Sequence, residues 1–353
     1  MTVMIYGAYG YTGRLVTALA AERGEMPVLA GRDEARLRTY AELFQLEHRV
    51  VDLDDGDGLR RALGDVDVVA HCAGPFSLTA RPMVDACLAT GTHYLDITGE
   101  IDVFEQILAR DAEARAAGVT LLPGAGFDVV PSDCLAALLA AELPGARRLA
   151  LAIRLDGVPS PGTAKTAVES LHEPGRARIG GRIGPVPPEL RRRRVPFPDG
   201  ARWATAIAWG DVSTAYHSTG IEDVVVYAPL PRAVNLLSAA APALGPVVGS
   251  PAVRRLLQAA AGRLPGPSAR TRAAHPSLVW GEVADDDGRT VQGVVDTLNG
   301  YDLTADAVLR IAALLERGGV PIGAHTPSRA LGADFVRRLD KTTVTLESGT
   351  PQR

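Results

Sequence analysis

A chain of 353 residues exceeds the roughly 250 to 300 that one hydrophobic core ordinarily fills, so two domains are expected. With 46% hydrophobic and 22% charged residues and a net charge of -4, the composition excludes a disordered or fibrous chain and gives no reason to expect nucleic acid as a partner. Lys165 and Lys341 are the only lysines, which leaves few groups for Schiff-base or lysine general-base chemistry.

Residues 1–130 alternate between short apolar runs and helical repeats, the pattern of a parallel sheet covered on both faces. TVMIYG predicts a strand, and TGRLVTALAAERG a helix ended by Gly24. MPVLAGR follows as a second strand and DEARLRTYAELFQ as a helix opened by Asp33. Four more strands are expected in HRVVDL, VDVVAHCAG, THYLDITG and VTLLPGAG, with helices in TARPMVDACLATG and EIDVFEQILARDAEARAAG. Strands so interleaved with helices predict a Rossmann-type, doubly wound α/β domain over 1–130.

The loop after the first strand carries Gly7, Gly10 and Gly13. The first permits a tight turn, the second lets the backbone approach a diphosphate, and the third allows the helix to pack on the strand. The loop Gly7, Ala8, Tyr9, Gly10, Tyr11, Thr12 and Gly13 is therefore a candidate diphosphate cradle, at a helix N-terminus whose partial positive charge favours an anion. The G-x-x-G-x-x-G spacing is a relaxed dinucleotide fingerprint, and its place between a strand and a helix gives it force. Where an NAD-binding domain usually ends its second strand in Asp or Glu, this chain has Arg32, and a guanidinium suits a 2′-phosphate. NADP(H) is thus expected over NAD(H). Asp33, next to it, reads first as the cap of the following helix. Asp52 and Leu53 are expected to flank the adenine, and Ala73, Gly74 and Pro75 to lie under the ribose and nicotinamide. Asp52 also reads as a solvated acid of the run DLDDGDG.

GAYGYTGRLV at 7–16, LAGRDEARL at 29–37, CAGPFSLTARPMVDACLATGTHYLDITGE at 72–100 and GAGFDVVPSD at 124–133 together resemble the saccharopine dehydrogenase-like oxidoreductases, a family of NADP-binding proteins. GYDLTADAVL at 300–309 and TPSRALGADFVRRL at 326–339 resemble the family's C-terminal portion. The resemblance is weak between 150 and 290, and the branch it favours contains the mycobacterial trans-acting enoyl reductases. It implies a Rossmann domain followed by a second α/β domain, with NADPH as hydride source, and leaves the substrate open. Tyr9 stands where the family's opening has Thr, so its side chain is expected over the diphosphate.

From 131 to 300 the character changes. RRLALAIRL, RWATAIAW and EDVVVYAPL predict strands, and SLVWGEVADDDGRTVQGVVDTLNG a hairpin around Asp286-Asp287-Gly288. A mostly antiparallel sheet with helices on one face, an α+β substrate domain, fits these runs. Closing helices at 304–317 and 327–338, in a segment of about 301–353, are expected to pack back on the first domain. The stretch 158–200 reads as loop, with Arg191 to Arg194 solvated or, alternatively, serving as a lid or clamp for an anionic carrier. The apolar segment 233–262 is broken by Pro242, Pro246 and Pro251 and predicts no transmembrane helix. It reads as the cover of a greasy cleft, as peripheral lipid contact, or as the filling of a core or homodimer interface.

Hydride transfer requires a proton donor near the atom that collects negative charge. Tyr94 is the candidate donor and Asp128 the candidate orienting acid, whereas Asp96, Glu100, Ser132 and Asp133 read more simply as caps and turn-holders. Tyr216 and His217 form another polar pair, and Gly162-Thr163-Ala164 bounds a substrate cleft on resemblance alone. Cys72, Cys87 and Cys134 read as buried, reduced thiols of a cytoplasmic protein, and the scattered histidines predict no metal site. The expected function is NADPH-dependent reduction of a C=C bond in a small-molecule or carrier-bound acyl or polyketide-type substrate. Reduction of an imine C=N bond and NADPH binding without catalysis are the alternatives.

Overall fold

The computed structural model describes residues 2–154, 157–170, 175–230 and 251–349. They divide into two compact units, 1–130 with 300–340 and 131–299 with 341–353.

The first unit is built on β1 (Val3–Tyr6), β2 (Val28–Gly31), β3 (His48–Val50), β4 (Val68–His71), β5 (His93–Asp96) and β6 (Thr120–Leu122), all parallel, in the order β6-β5-β4-β1-β2-β3. Every residue of β2 and β4 is buried, because helices cover both faces of the sheet. The helices are α1 (Tyr11–Glu22), α2 (Glu34–Phe44), α3 (Gly56–Leu63), α4 (Phe76–Thr90), α5 (Ile101–Leu108) and α6 (Asp111–Ala117). Asp33 caps α2 by accepting the Arg36 N–H at 3.0 Å, as its sequence position predicts. Asp55 likewise caps α3 on Gly58, inside an acidic run that carries no obvious helical pattern. The single helix expected over 100–118 is two. Arg110 leaves helical geometry at the break, and its guanidinium pairs with Asp85 and Glu113. His71 ends β4 fully buried, with neither ring nitrogen hydrogen-bonded and the Tyr6 and Phe76 rings each 5.4 Å away. Burial pushes its pKa down to about 3, so it stays neutral.

The second unit opens with α7 (Val130–Glu142) and β7 (Arg148–Arg154), followed by α8 (Pro161–Ser170), β8 (Arg176–Ile179), β9 (Arg182–Pro185), β10 (Arg192–Phe197), β11 (Gly200–Ala206), α9 (Asp211–Thr219) and β12 (Asp223–Ala228). Helices α10 (Pro251–Ala261) and α11 (Ala269–Ala274) precede the hairpin β13 (Ser277–Ala284) and β14 (Thr290–Thr297). The sheet runs β10-β11-β12-β7-β13-β14 and is mixed, since β12 pairs with β7 in parallel. Gly281 and Gly293 face each other across the hairpin, and a Cβ on the first would stand 2.7 Å from Leu139 of α7, which is how the helix lies so close to the strands. The Arg191–Arg194 stretch is not a solvated loop: it runs into β10, a strand paired residue for residue with β11. Its side chains alternate, with Arg192, Arg194 and Pro196 exposed and Val195 and Phe197 buried. Arg193 turns inward to pair with Glu282, its guanidinium 4.9 Å from the Trp280 ring centre. Composition suggested loop, but this period of two is that of a strand.

The closing segment divides between the units. Helix α12 (Gly300–Glu316) packs on α1, with the rings of Tyr11 and Tyr301 5.0 Å apart, and β15 (Gly323–Ala324) extends the parallel sheet beyond β6. The buried Asp306 carboxylate receives Arg23, Arg310 at 2.8 and 2.9 Å, and the Asp340 N–H at 3.0 Å. The last strand, β16 (Thr343–Gly349), pairs instead with β14 of the second sheet, so the closing segment of the first unit ends at Asp340 and its expected outer bound of about 353 is corrected. Of the apolar segment 233–262, residues 233–250 lie outside the described residues, and Pro251–Ala261 is α10. No helix among the described residues is long and apolar enough to cross a membrane.

Candidate functional site

The strand order reverses between β1 and β4, and in such sheets ligands lie beyond the carboxyl ends of the strands at that point. The glycine loop stands there. Gly7 has φ +82°, a left-handed value that glycine adopts without strain, and its N–H reaches the Ala30 carbonyl at 2.8 Å. A Cβ on Gly13 would come within 2.3 Å of the Gly7 carbonyl oxygen, so α1 could not approach β1 with any other residue. A Cβ on Gly10 would stand a tight 3.1 Å from the Gly7 carbonyl oxygen, over the start of α1. Gly10 caps α1 with no side-chain hydrogen bond, and the first turn contains no acidic residue. The start of α1 is therefore a cradle that a single Cβ would fill, with backbone amides and a helix dipole suited to a diphosphate. These residues fit a dinucleotide.

At the end of β2, Arg32 is exposed and makes no hydrogen bond or ion pair among the described residues. Tyr9, expected over the diphosphate, reaches towards β2 instead. Its hydroxyl accepts the Asp33 N–H at 3.2 Å, and its ring lies where a Cβ on Gly31 would be, 2.5 Å from Cε1. Ala8 is fully buried, while Tyr11 and Thr12 are half-buried in the first turn of α1. Asp52, exposed, and Leu53, half-buried, follow β3, where Asp52 accepts the Asp54 N–H. Ala73, Gly74 and Pro75 follow β4, with Ala73 against Gly7 and the Gly74-Pro75 bond cis.

The acid candidates sit in β5, Tyr94 and Asp96, and in the stretches after β5 and β6, Glu100 and Asp128. Tyr94 is fully buried, and its hydroxyl donates to Asp96 at 2.7 Å; burial and that carboxylate push its pKa well above the usual phenolic value. Asp96 in turn accepts the N–H groups of Thr98 at 3.0 Å and Gly124 at 2.8 Å, tying together the loops after β5 and β6, while burial lifts its pKa to about 6. Asp128 lies against Gly99, where a Cβ would be 3.3 Å from its carboxylate. Burial, and then the neighbouring Glu100 charge, raise its pKa to about 7. Glu100 accepts the Phe76 and Ser77 N–H groups at 2.8 and 2.9 Å and so supplies the first turn of α4 with the acceptor that Pro75 lacks. Across 24 residues of sequence, nothing but the resemblance of both stretches to one family connects these groups. His71 was not singled out in the sequence, since a histidine in an apolar run signals only burial.

In the second unit Ser132 and Asp133 do not act as simple caps, for α7 begins at Val130. Ser132 donates to the buried Asp211 at 2.8 Å, and Ser218 donates to the buried Asp133 at 2.5 Å. Tyr216 lies under the Arg178 guanidinium at 4.2 Å and against the His217 ring. Gly162, Thr163 and Ala164 lie in the first turn of α8, where Ser160 accepts the Thr163 N–H. Cys87 and Cys134 are buried, Cys72 is half-buried, and all are free thiols. Among the described residues no cluster of side chains has the makings of a metal site.

Comparison with known proteins bears on this unit directly. Residues 3–122 match the family model described as "Saccharopine dehydrogenase NADP binding domain". A trans-acting enoyl reductase of Mycobacterium leprae is 33% identical over 139 residues, and a probable mitochondrial saccharopine dehydrogenase-like oxidoreductase of Arabidopsis thaliana is 30% identical over 148. Each match takes in 37% of this chain and 33% of the relative, so the likeness spans about a third of the curated relatives' length. In fold, 99% of the chain follows the saccharopine dehydrogenase (L-Glu forming) of Saccharomyces cerevisiae, covering 100% of that chain at a TM-score of 0.65 and 14% identity. It also follows a homospermidine synthase of Legionella pneumophila in complex with NAD, at a TM-score of 0.64 and 12% identity over 92% of that chain. A parallel sheet reversing at β1, a glycine loop at a helix start without a side-chain cap and the matched sequence agree: residues 3–122 are similar in fold and in sequence to a saccharopine dehydrogenase NADP-binding domain.

Proposed function

We propose that this chain is an NADPH-dependent reductase acting on a C=C bond conjugated to a carbonyl, in an acyl or polyketide-type substrate that is free or carried by a partner. In this reading the amides from Gly7 to Gly13 hold the diphosphate and Arg32 meets the 2′-phosphate. Asp52 and Leu53 border the adenine, and Ala73, Gly74 and Pro75 lie under the ribose and nicotinamide. The bound coenzyme supplies a hydride.

The observation that carries the reading is Asp128. Half-buried against Gly99 and close to Glu100, its carboxyl has a pKa raised to about 7 and so holds a proton in about half of the molecules at neutral pH, where an ordinary carboxyl has lost it. It gives that proton to the atom on which negative charge collects once the β-carbon has accepted hydride. Tyr94 then serves as a positioning residue, because its own O–H is committed to Asp96 in the core and Asp96 fastens the loops that lead to Gly99 and Asp128. Glu100 has two parts: it holds the start of α4, and it opposes ionisation of Asp128. The name of the M. leprae relative supports reduction of a C=C bond. A second reading, reduction of a C=N bond, draws on the whole-chain fold likeness to a saccharopine dehydrogenase.

With NADPH and a 2-enoyl thioester, the wild type is expected to consume NADPH at a rate that falls as pH rises through about 7, as Asp128 loses its proton. Asp128→Asn is expected to slow turnover by about 10²-fold or more while NADPH still binds. Consumption only with an oxo acid and an amine would shift the reading to the C=N bond. Binding without turnover on either substrate set would leave an NADPH-binding interaction protein.

A further inference from the structure

Resting on the NADP(H) reading above, we propose that Arg36, stacked on Tyr9, is a second cation for the coenzyme's 2′-phosphate and that the pair shares with Arg32 the discrimination between NADPH and NADH. A 2′-phosphate carries close to two negative charges, and Arg32 alone supplies one positive charge. Beside Arg32 stands Asp33, whose carboxylate is engaged as the cap of α2 and cannot leave the neighbourhood. A second guanidinium offsets it.

Arg36 is such a group. It is exposed in the first turn of α2, the end of a helix where the dipole disfavours a cation, and its guanidinium pairs with no carboxylate among the described residues. Instead its guanidinium carbon lies 4.8 Å from the centre of the Tyr9 ring, within cation–π range. Tyr9 is itself fixed at that strand end, its ring against the bare Cα of Gly31 and its hydroxyl accepting the Asp33 N–H at 3.2 Å. That hydroxyl still has its proton to donate, and no acceptor for it is found among the described residues. Arg32 follows β2 directly, and Arg36 is held on Tyr9 beside Gly31 and Asp33, so two charges and the Tyr9 O–H belong to the end of that strand, a set suited to a phosphate monoester. Arg14, by contrast, is occupied: its Nε donates to the Tyr9 carbonyl at 3.0 Å. Tyr9, which departs from the usual Thr, acquires a function here: an aromatic ring at this position gives Arg36 a surface to rest on.

The test titrates the full chain with NADPH and NADH, and with 2′,5′-ADP against 5′-ADP to isolate the phosphate. Arg36→Ala is expected to weaken NADPH and 2′,5′-ADP by roughly tenfold or more, and to leave NADH and 5′-ADP within about twofold. Arg36→Lys, which keeps the charge and loses the planar fork, falls between, and Tyr9→Phe, which keeps the ring, costs about threefold on the phosphorylated ligands alone. Melting temperatures unchanged from the wild type keep folding out of the comparison. An unchanged NADPH to NADH ratio in Arg36→Ala, with the preference lost in Arg32→Ala, would overturn the role of Arg36 and leave the nucleotide site standing. Failure of the wild type to bind either coenzyme would overturn both.

Discussion

Gly13→Ala is expected to reduce NADPH affinity by about 10²-fold or more, the scale of effect that follows from misplacing binding groups by about an ångström. The added methyl would lie 2.3 Å from the Gly7 carbonyl oxygen, 2.9 Å from the Ala8 Cα and 3.0 Å from the Gly7 carbonyl carbon. All three are backbone atoms, so no rotamer change relieves the contact, and α1 must move away from β1. The amides at its start then leave the position from which they face the ligand. Overpacking of this kind also costs about 1–3 kcal/mol of stability, so a lowered melting temperature should accompany the loss. Fluorescence titration at a temperature where circular dichroism shows the variant folded separates the two effects. A folded Gly13→Ala protein with wild-type affinity would mean that the helix start does not grip the ligand.

The second large effect concerns Asp306. Its buried carboxylate receives Arg23 from α1, Arg310 from its own helix and the Asp340 N–H, and so binds the start of the closing segment to the first unit. Asp306→Ala removes the buried shared acceptor and leaves the two guanidinium groups with only the exposed Asp340 carboxylate, 2.6 Å from Arg310 and 3.8 Å from Arg23. Each cation is partly exposed, which lets water recover some of the loss, so the expected destabilisation is about 3 kcal/mol, at the lower end for a broken buried pair. Chemical denaturation followed by far-ultraviolet circular dichroism checks it. Asp306→Asn, which keeps one acceptor oxygen, should recover part of the difference. If Asp306→Ala denatured at the same midpoint as the wild type, water would be replacing the carboxylate in full and α12 would be held by its apolar face alone.

The parts of this fold that could be read from the sequence are those in which one local rule acts alone. The runs VMIY, VLAG and VVAH are apolar but for the closing His71 because parallel strands are covered on both faces, and Asp33 marks a helix start because its carboxylate meets an N–H three residues on. Where two rules compete, composition misleads. Four consecutive arginines suggest solvated loop, yet in β10 their alternation with Val195 and Phe197 is a strand period, and Arg193 is accommodated by Glu282 and Trp280 from distant strands. The acids around Asp55 hide its cap, and no strand is read at 343–349, since nothing local says which sheet edge a terminal strand will meet.

The candidate site shows the same division. Gly7, Gly10, Gly13 and Arg32 stand out because a tight turn, a close approach and a charge at a strand end each require a residue type at one spacing. The sequence offers Asp128 as an orienting acid, whereas its surroundings suit it to hold a proton. Its raised pKa depends on burial and on Glu100, while Tyr94 proves to be enclosed in the core with its hydroxyl on Asp96. Such environments are assembled from loops far apart in sequence. Arg36 carries no signal in the sequence for the related reason that an arginine in an exposed helical turn is ordinary until the ring beneath it is known.

The most direct test of the account is calorimetric and fluorescence titration of the purified wild-type chain with NADPH and NADH in parallel. Saturable binding of NADPH, tighter than NADH by roughly tenfold or more, is the predicted result. Neither heat nor a change in nicotinamide emission with either coenzyme would contradict it.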